Sequence, residues 1–294
     1  MDQQLRGLIR DTVSRVPGGE AAAKLVIVQA ETLMALARRR LNDDPPPVPD
    51  AVTPQEIPSV AELGPGDRDL AEIDQDGFTF ALHPADEPFF NRRTEKFPRL
   101  RYRLHVVLYR GRVCVRKQFL GMPEGVAIGP RLWSLSGLFF FTEAAALLRL
   151  RAAGFVPVLR GINPVTRTLY MDYLRGETLQ HELASHGARL LDIDLATTDQ
   201  LFDPERDRWE SEAFAQHGGA HRDGIEAMVR TMNRRGVAPI DVKLGNVVIG
   251  ARSGALYWLD FERAALDAVP GWEAQLAEHH RLVEAHFGIQ LASR

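Results

Sequence analysis

Apolar and polar positions alternate in two stretches, Arg103 to Tyr109 and Arg112 to Phe119, separated only by Arg110-Gly111. A two-residue period predicts strands, and the short polar break predicts a tight hairpin between them. On the second strand this period puts Val113, Val115 and Lys117 on one face. A slip of one residue would present Arg116 and Cys114 instead, so both registers stay open. Helical composition begins at Phe141 and runs through Arg151, with Thr142 as its cap and Gly154 as its stop. Thr168 to Leu174 reads as an apolar strand that breaks at Gly176 and enters a helix. From Gly224 to Arg235, Ile225, Met228, Val229 and Met232 recur at helical spacing. Val247-Val248-Ile249, a turn from Gly250 to Gly254, and Ala255 to Leu259 then predict a second hairpin.

Outside these elements the pattern predicts appendages. Residues 1–44 read as helical, with Leu5, Leu8, Ile9 and Val13 before a Pro17-Gly18-Gly19 break and Leu25, Val28, Leu33, Leu36 and Ala37 after it. Arg38 to Arg40 suit the C-terminal end of the second helix dipole. This pair is expected to dock on the rest of the chain, the alternative being dimerisation. Residues 45–66, opening with Pro45-Pro46-Pro47, are expected to be a stiff Pro-rich linker, and 67–294 the main domain. Gly121 to Phe141 carries Met122, Trp133, Leu135, Leu138 and Phe139-Phe140-Phe141, and core packing is its expected role. The other reading is an apolar surface offered to a lipidic or protein substrate. A polar insert, Arg189 to Ala220, holds Asp192, Asp194, Asp199 and Asp203, which could line an acceptor site.

Composition narrows the class. With 294 residues, 45% of them hydrophobic and 26% charged, the chain can bury a substantial core. A net charge of −3, with only local clusters such as Arg38 to Arg40 and Arg92-Arg93, argues against nucleic acid as a partner. The single cysteine, Cys114, excludes an internal disulfide and a multi-cysteine zinc site. Neither a signal peptide nor an apolar run near bilayer length is evident, so a cytoplasmic location is expected, with at most peripheral membrane contact.

The chemistry concentrates in Asp241-Val242-Lys243-Leu244-Gly245-Asn246, followed by Leu259-Asp260-Phe261-Glu262. The intervening hairpin would return Asp260 to the side of Asn246. Upstream lie, in order, a cation on a strand (Lys117), a carboxylate on a helix (Glu143) and an apolar strand ending in Met171, Asp172 and Leu174. This order resembles the protein-kinase-like superfamily in its small atypical branches, over roughly the last two-thirds of the chain. The resemblance implies an α+β, bilobal kinase-like fold with a truncated C-lobe and an N-terminal helical extension. The N-lobe would run to about residue 171 and the C-lobe over 176–294.

That resemblance also implies ATP and Mg²⁺ as cofactors. Moving a γ-phosphoryl group needs cations bridging its oxygens and an in-line hydroxyl, so the charged groups must line one cleft. Asp241 would orient the hydroxyl, Asn246 and Asp260 would hold metal, and Lys243 would neutralise charge on the migrating phosphate. Lys117 paired with Glu143 would position the phosphates, with Arg116 as the alternative cation. Backbone groups of Asp172 and Leu174 would meet adenine, with Met171 behind the pocket.

Several departures shape the acceptor. No glycine-rich loop precedes Lys117; Phe90 to Tyr102 is charged and glycine-free. Pro239-Ile240 stands where kinases carry His-Arg, and Asp-Phe-Glu resembles the metal motif of lipid-headgroup kinases. Only 34 residues follow Asp260, without Ala-Pro-Glu, so peptide docking of the usual kind is not expected. The stretch from Arg116 to Glu143 is similar to sugar kinases that phosphorylate the lipopolysaccharide core. The expectation is a Ser/Thr-kinase-like phosphotransferase; the alternatives are a glycolipid or small-molecule kinase, and a nucleotide-binding pseudokinase scaffold. Nucleotidyl rather than phosphoryl transfer is a further variant. His221-Arg222-Asp223 mimics a catalytic loop, but Met228 occupies the position due an Asn and a helix follows. His279, His280, Glu284 and His286 suggest a metal site only weakly, because a solvated terminal helix explains them.

Overall fold

The computed structural model describes residues 45, 47–56, 68–73, 102–119, 131–164, 166–185, 204–268 and 271–291. The N-terminal helices expected over 1–44, the segment from Phe90 to Arg101 and the aspartates from Asp192 to Asp203 lie outside these residues.

Strands β1 (Arg68–Ile73), β2 (Tyr102–Tyr109) and β3 (Arg112–Phe119) form an antiparallel meander. Arg110 and Gly111 both take positive φ (50° and 71°), the backbone that lets a two-residue turn follow the twist of its strands. Helix α1 (Arg131–Leu150) follows, then β4 (Leu159–Asn163) and β5 (Thr168–Asp172), completing one sheet of order β1-β2-β3-β5-β4. Within it Val115 faces Val106 and Met171, and Lys117 faces Leu104 and Leu169. The molecule is thus α+β, with this antiparallel sheet and α1 on one side of the β5 exit.

Helix α1 starts at Arg131 and not at the expected cap, Thr142. Thr142 is buried inside the helix, as are Phe140 and Phe141. Burial is the physical reason: Phe140 meets Phe119 edge-on at 5.9 Å and Phe141 at 5.1 Å, contacts that a helix delivers. The end agrees with the sequence, because Gly154 (φ 78°) closes the short 3₁₀ turn Arg151–Ala153.

Beyond β5 the chain forms β6 (Gly176–Thr178), α2 (Leu179–Ser185), α3 (Pro204–His217), α4 (Arg222–Arg234) and β7 (Val237–Pro239). Then come β8 (Val247–Gly250), β9 (Leu256–Trp258), β10 (Ala264–Leu266) and α5 (Trp272–Phe287). β8 pairs with both β6 and β9, and β10 pairs with β7. Helix α4 buries Ile225, Met228, Val229 and Met232, the face its periodicity predicts. His221 and Arg222 of the mimic motif sit at its start, bonded to Glu182 and the Gly288 carbonyl. No helix among the described residues is long and apolar enough to cross a membrane.

Residues 48–56, within the stretch expected as linker, are bound to the body of the molecule. Ala51 bridges Leu174, the Val52 amide donates to the Tyr173 carbonyl (2.7 Å), and the Arg175 amide donates to the Asp50 carbonyl (2.8 Å). Val48 and Val52 join the core. The Asp50 carboxylate is fully buried and accepts from the Arg252 and Ser253 amides and the Tyr257 hydroxyl (2.7, 3.2 and 2.8 Å), and also from the Ser253 hydroxyl. A buried carboxylate persists only with such a donor set.

Candidate active site

Sheet register decides which strand cation turns inward. Lys117 is fully buried, and its Nζ lies 2.6 Å from Glu143 Oε2 on α1, 3.3 Å from Asp260 Oδ1 and 3.7 Å from Glu262 Oε2. Arg116 lies at the next register position, between His105 and Tyr170, and is half-buried. The Nζ also sits 4.9 Å above the Phe119 ring. Three carboxylates thus surround one ammonium. Burial pushes the Glu143 carboxyl up to about 8; Lys117 opposes that rise, while Asp260 and Glu262 add to it.

The second group of charges is on the loop after β7. Lys243 Nζ pairs with Asp241 Oδ2 at 2.6 Å, and Asn246 Nδ2 donates to the Asp241 carbonyl at 2.8 Å, closing the loop through the 3₁₀ turn Leu244–Asn246. Burial raises the Asp241 carboxyl, but the Lys243 charge and hydrogen bond, with Arg263 and the Asn246 amide, hold it below the usual carboxylate range. Arg263 was not anticipated from the sequence. It sits one residue past Glu262, and only the β7–β10 pairing brings it toward Asp241.

The two groups meet through the hairpin. Leu259 donates its amide to the Asn246 carbonyl at 2.8 Å, which sets Asp260 next in line. Asp260 takes φ 58°, a left-handed conformation uncommon for a residue with a side chain, and its Oδ1 accepts from the Glu262 amide at 3.3 Å. Asn246, with Nδ2 on Asp241, keeps Oδ1 as the oxygen it could offer a cation. Glu143, Asp260 and Glu262 place one oxygen each within 4.8 Å of one another, a hard-oxygen donor set of the kind Mg²⁺ takes.

At the β5 exit, Met171 is buried opposite Val115. The Asp172 carboxylate is committed to Arg160, at 2.6 Å from both Nε and Nη2, so its side chain serves the fold. The Tyr173 carbonyl and Arg175 amide bond residues 50–52, the Tyr173 amide bonds the Val113 carbonyl and the Arg175 carbonyl the Ala251 amide, and strand alternation points the Asp172 carbonyl and Leu174 amide to the opposite side.

The remaining sequence candidates separate. The four residues considered as a metal site do not converge: His279 Nδ1 bonds the Pro239 carbonyl, His280 bonds Asn233, Glu284 bonds Gln290, and His286 lies near Glu210. Nor is the terminal helix simply solvated, since His279 and His286 are buried. Their seven-residue separation, two helical turns, was the signal for a shared inward face. Glu210, also buried and also unforeseen, accepts from the Leu244 amide at 3.1 Å.

No family model matches the chain, and no curated protein sequence matches it. Among solved structures, the complex of Rio2 kinase with ADP/Mg²⁺-phosphoaspartate from Chaetomium thermophilum is similar over 89% of this chain and 81% of that one, with 13% identity and a TM-score of 0.35.

Proposed function

We propose that the chain is an ATP- and Mg²⁺-dependent phosphotransferase acting on a hydroxyl acceptor in a bilobal, kinase-like cleft. One observation carries the reading. Glu143 and Asp260, remote from Lys117 and from each other in sequence, place carboxyl oxygens within 3.3 Å of its buried ammonium, and Asp260 directly follows Leu259, whose amide donates to the Asn246 carbonyl.

In this reading Lys117, oriented by Glu143, contacts the nucleotide phosphates. Asp260 and the Asn246 Oδ1 hold Mg²⁺, which supplies charge neutralisation on the phosphoryl oxygens. Asp241, kept ionised by Lys243, is suited to orient the acceptor hydroxyl, and Lys243 also faces the charge that develops on the migrating group. The Asp172 carbonyl and Leu174 amide suit adenine. Protein Ser/Thr is the acceptor favoured by Lys243; a sugar or lipid hydroxyl is the competing class.

The test is mass spectrometry of purified protein incubated with MgATP and cell extract, beside the Asp260→Ala variant. Gain of one phosphoryl group on a protein, lost in the variant, is the expected result. Nucleotide binding with transfer only to a non-protein hydroxyl would redirect the acceptor to sugars or lipids. Binding without any turnover would leave a pseudokinase scaffold, and AMP in place of phosphate on the product would reassign the chemistry to nucleotidyl transfer.

A further inference from the structure

Between β7 and the 3₁₀ turn, residues 240–243 run without regular secondary structure, yet they carry Asp241 and Lys243. Such a segment holds one geometry only if something outside it fixes its backbone. Besides the Ile240 amide, which donates to the Arg263 carbonyl at 3.3 Å, and Asn246 Nδ2 on the Asp241 carbonyl, two anchors lie at its ends. Before the loop, His279 Nδ1–H donates to the Pro239 carbonyl at 2.5 Å. After it, the Leu244 amide donates to Glu210 Oε2 on α3, and His286 Nδ1 lies 3.3 Å from that same oxygen. His279, Glu210 and His286 are all at least nine-tenths buried.

Both histidines belong to the inward face of α5, which also carries Leu282, Val283 and Phe287. Phe287 packs edge-on against Phe214 of α3 at 5.1 Å and against Trp258 of β9 at 6.1 Å, so the helix is seated independently of the loop. Burial drives the His279 imidazole down to about 4, so near neutral pH it is uncharged and its Nδ1–H is given to the carbonyl.

We infer that α5 and α3 together brace the acceptor-orienting loop, with His279 of α5 and Glu210 of α3 as positioning residues that pin its backbone at Pro239 and Leu244. The inference rests on the phosphotransfer reading for its kinetic consequence but not for its structural one. Neither residue touches a reacting atom. Their effect would pass through the backbone to Asp241 and Lys243, altering the chemical step more than nucleotide binding, because Lys117 and Glu143 are held by β3 and α1.

Two variant pairs test it. His279→Phe removes the donor while keeping a ring, and His279→Asn returns an N–H near the Nδ1 position. Glu210→Leu removes the acceptor, and Glu210→Gln restores an oxygen. Amide hydrogen exchange is read across the full-length protein, together with kcat and KM for ATP. The Phe and Leu variants should speed exchange at 240–246 by about tenfold or more, with exchange in β3 and α1 unchanged. They should lower kcat by about tenfold with KM for ATP within about twofold, and the Asn and Gln variants should recover most of both effects. Unchanged exchange at 240–246, equal acceleration throughout the protein, or no recovery in the conservative variants would overturn the brace. Loss of protection confined to 240–246 in a protein that transfers no phosphate would uphold the brace and overturn the phosphotransfer reading alone.

Discussion

Lys117 is fully buried, with its Nζ facing the carboxyl groups of Glu143, Asp260 and Glu262. Removing the ammonium strands those carboxylates, and breaking a buried ion pair from one side commonly costs about 3–5 kcal/mol. Lys117→Met should therefore lose more stability at pH 8 than at pH 5, where Glu143 carries its proton; equal losses at both pH values in urea titrations would refute this. Glu143 supplies the complementary case. Its carboxyl titrates near 8 in the fold against an ordinary 4.5, so the folded state binds its proton more tightly than the unfolded chain. Its contribution is complete below about pH 4.5 and declines as pH rises to about 8. Melting curves of Glu143→Gln across that window should be flatter than those of the parent protein, and parallel curves would show that Glu143 is ionised throughout.

At the scale of elements, segment 48–56 is the least expected feature. Its short bridge to Leu174 would be weak alone, but the Asp50 carboxylate serves two amides and two hydroxyls at the β8–β9 turn. Gly250 makes room for it, since a Cβ there would overlap the carboxylate. Asp50→Ala leaves those donors without their acceptor and should cost about 2–4 kcal/mol of unfolding free energy. A shift in urea midpoint equivalent to less than about 0.5 kcal/mol would mean that water replaces the carboxylate. The acid branch has a definite sign. Burial raises the Asp50 carboxyl, the four donors outweigh that and lower it, and its contribution is lost as pH falls below the ordinary 3.8.

For the whole molecule, the sheet with α1 and the helices beyond β5 share one apolar core, and the charged residues of both groups lie where the two meet. A ligand engaging both groups at once should stabilise the folded chain by mass action, by about 2.7 kcal/mol at one hundred times its Kd. For a chain of this size that corresponds to a rise in Tm of roughly 4–8 °C. MgADP should produce such a shift in the parent protein and little or none in Asp260→Ala. An equal rise in both would place the nucleotide elsewhere.

What the sequence determined by itself is local: the two hairpins, helix α4 and the ends of α1 and β5, each set by a period, a turn pair or a glycine within a few residues. The order of Lys117, Glu143, Asp241, Asn246 and Asp260 was legible too, because a strand cation, a helix carboxylate and the runs Asp241 to Asn246 and Asp260 to Glu262 can each be read within a few residues. Tertiary structure decided the rest. The choice of Lys117 over Arg116 needed the pairing of β3 with β2 and β5, since alternation along one strand does not say which face is buried. The early start of α1, the seating of Asp50, and the inward turn of His279 and His286 depend on partners 20 to over 200 residues away, such as Phe119, Tyr257 and Pro239. Burial and hydrogen-bond satisfaction are properties of that packing, and a polar residue becomes a brace only when the fold brings it an otherwise unmet partner.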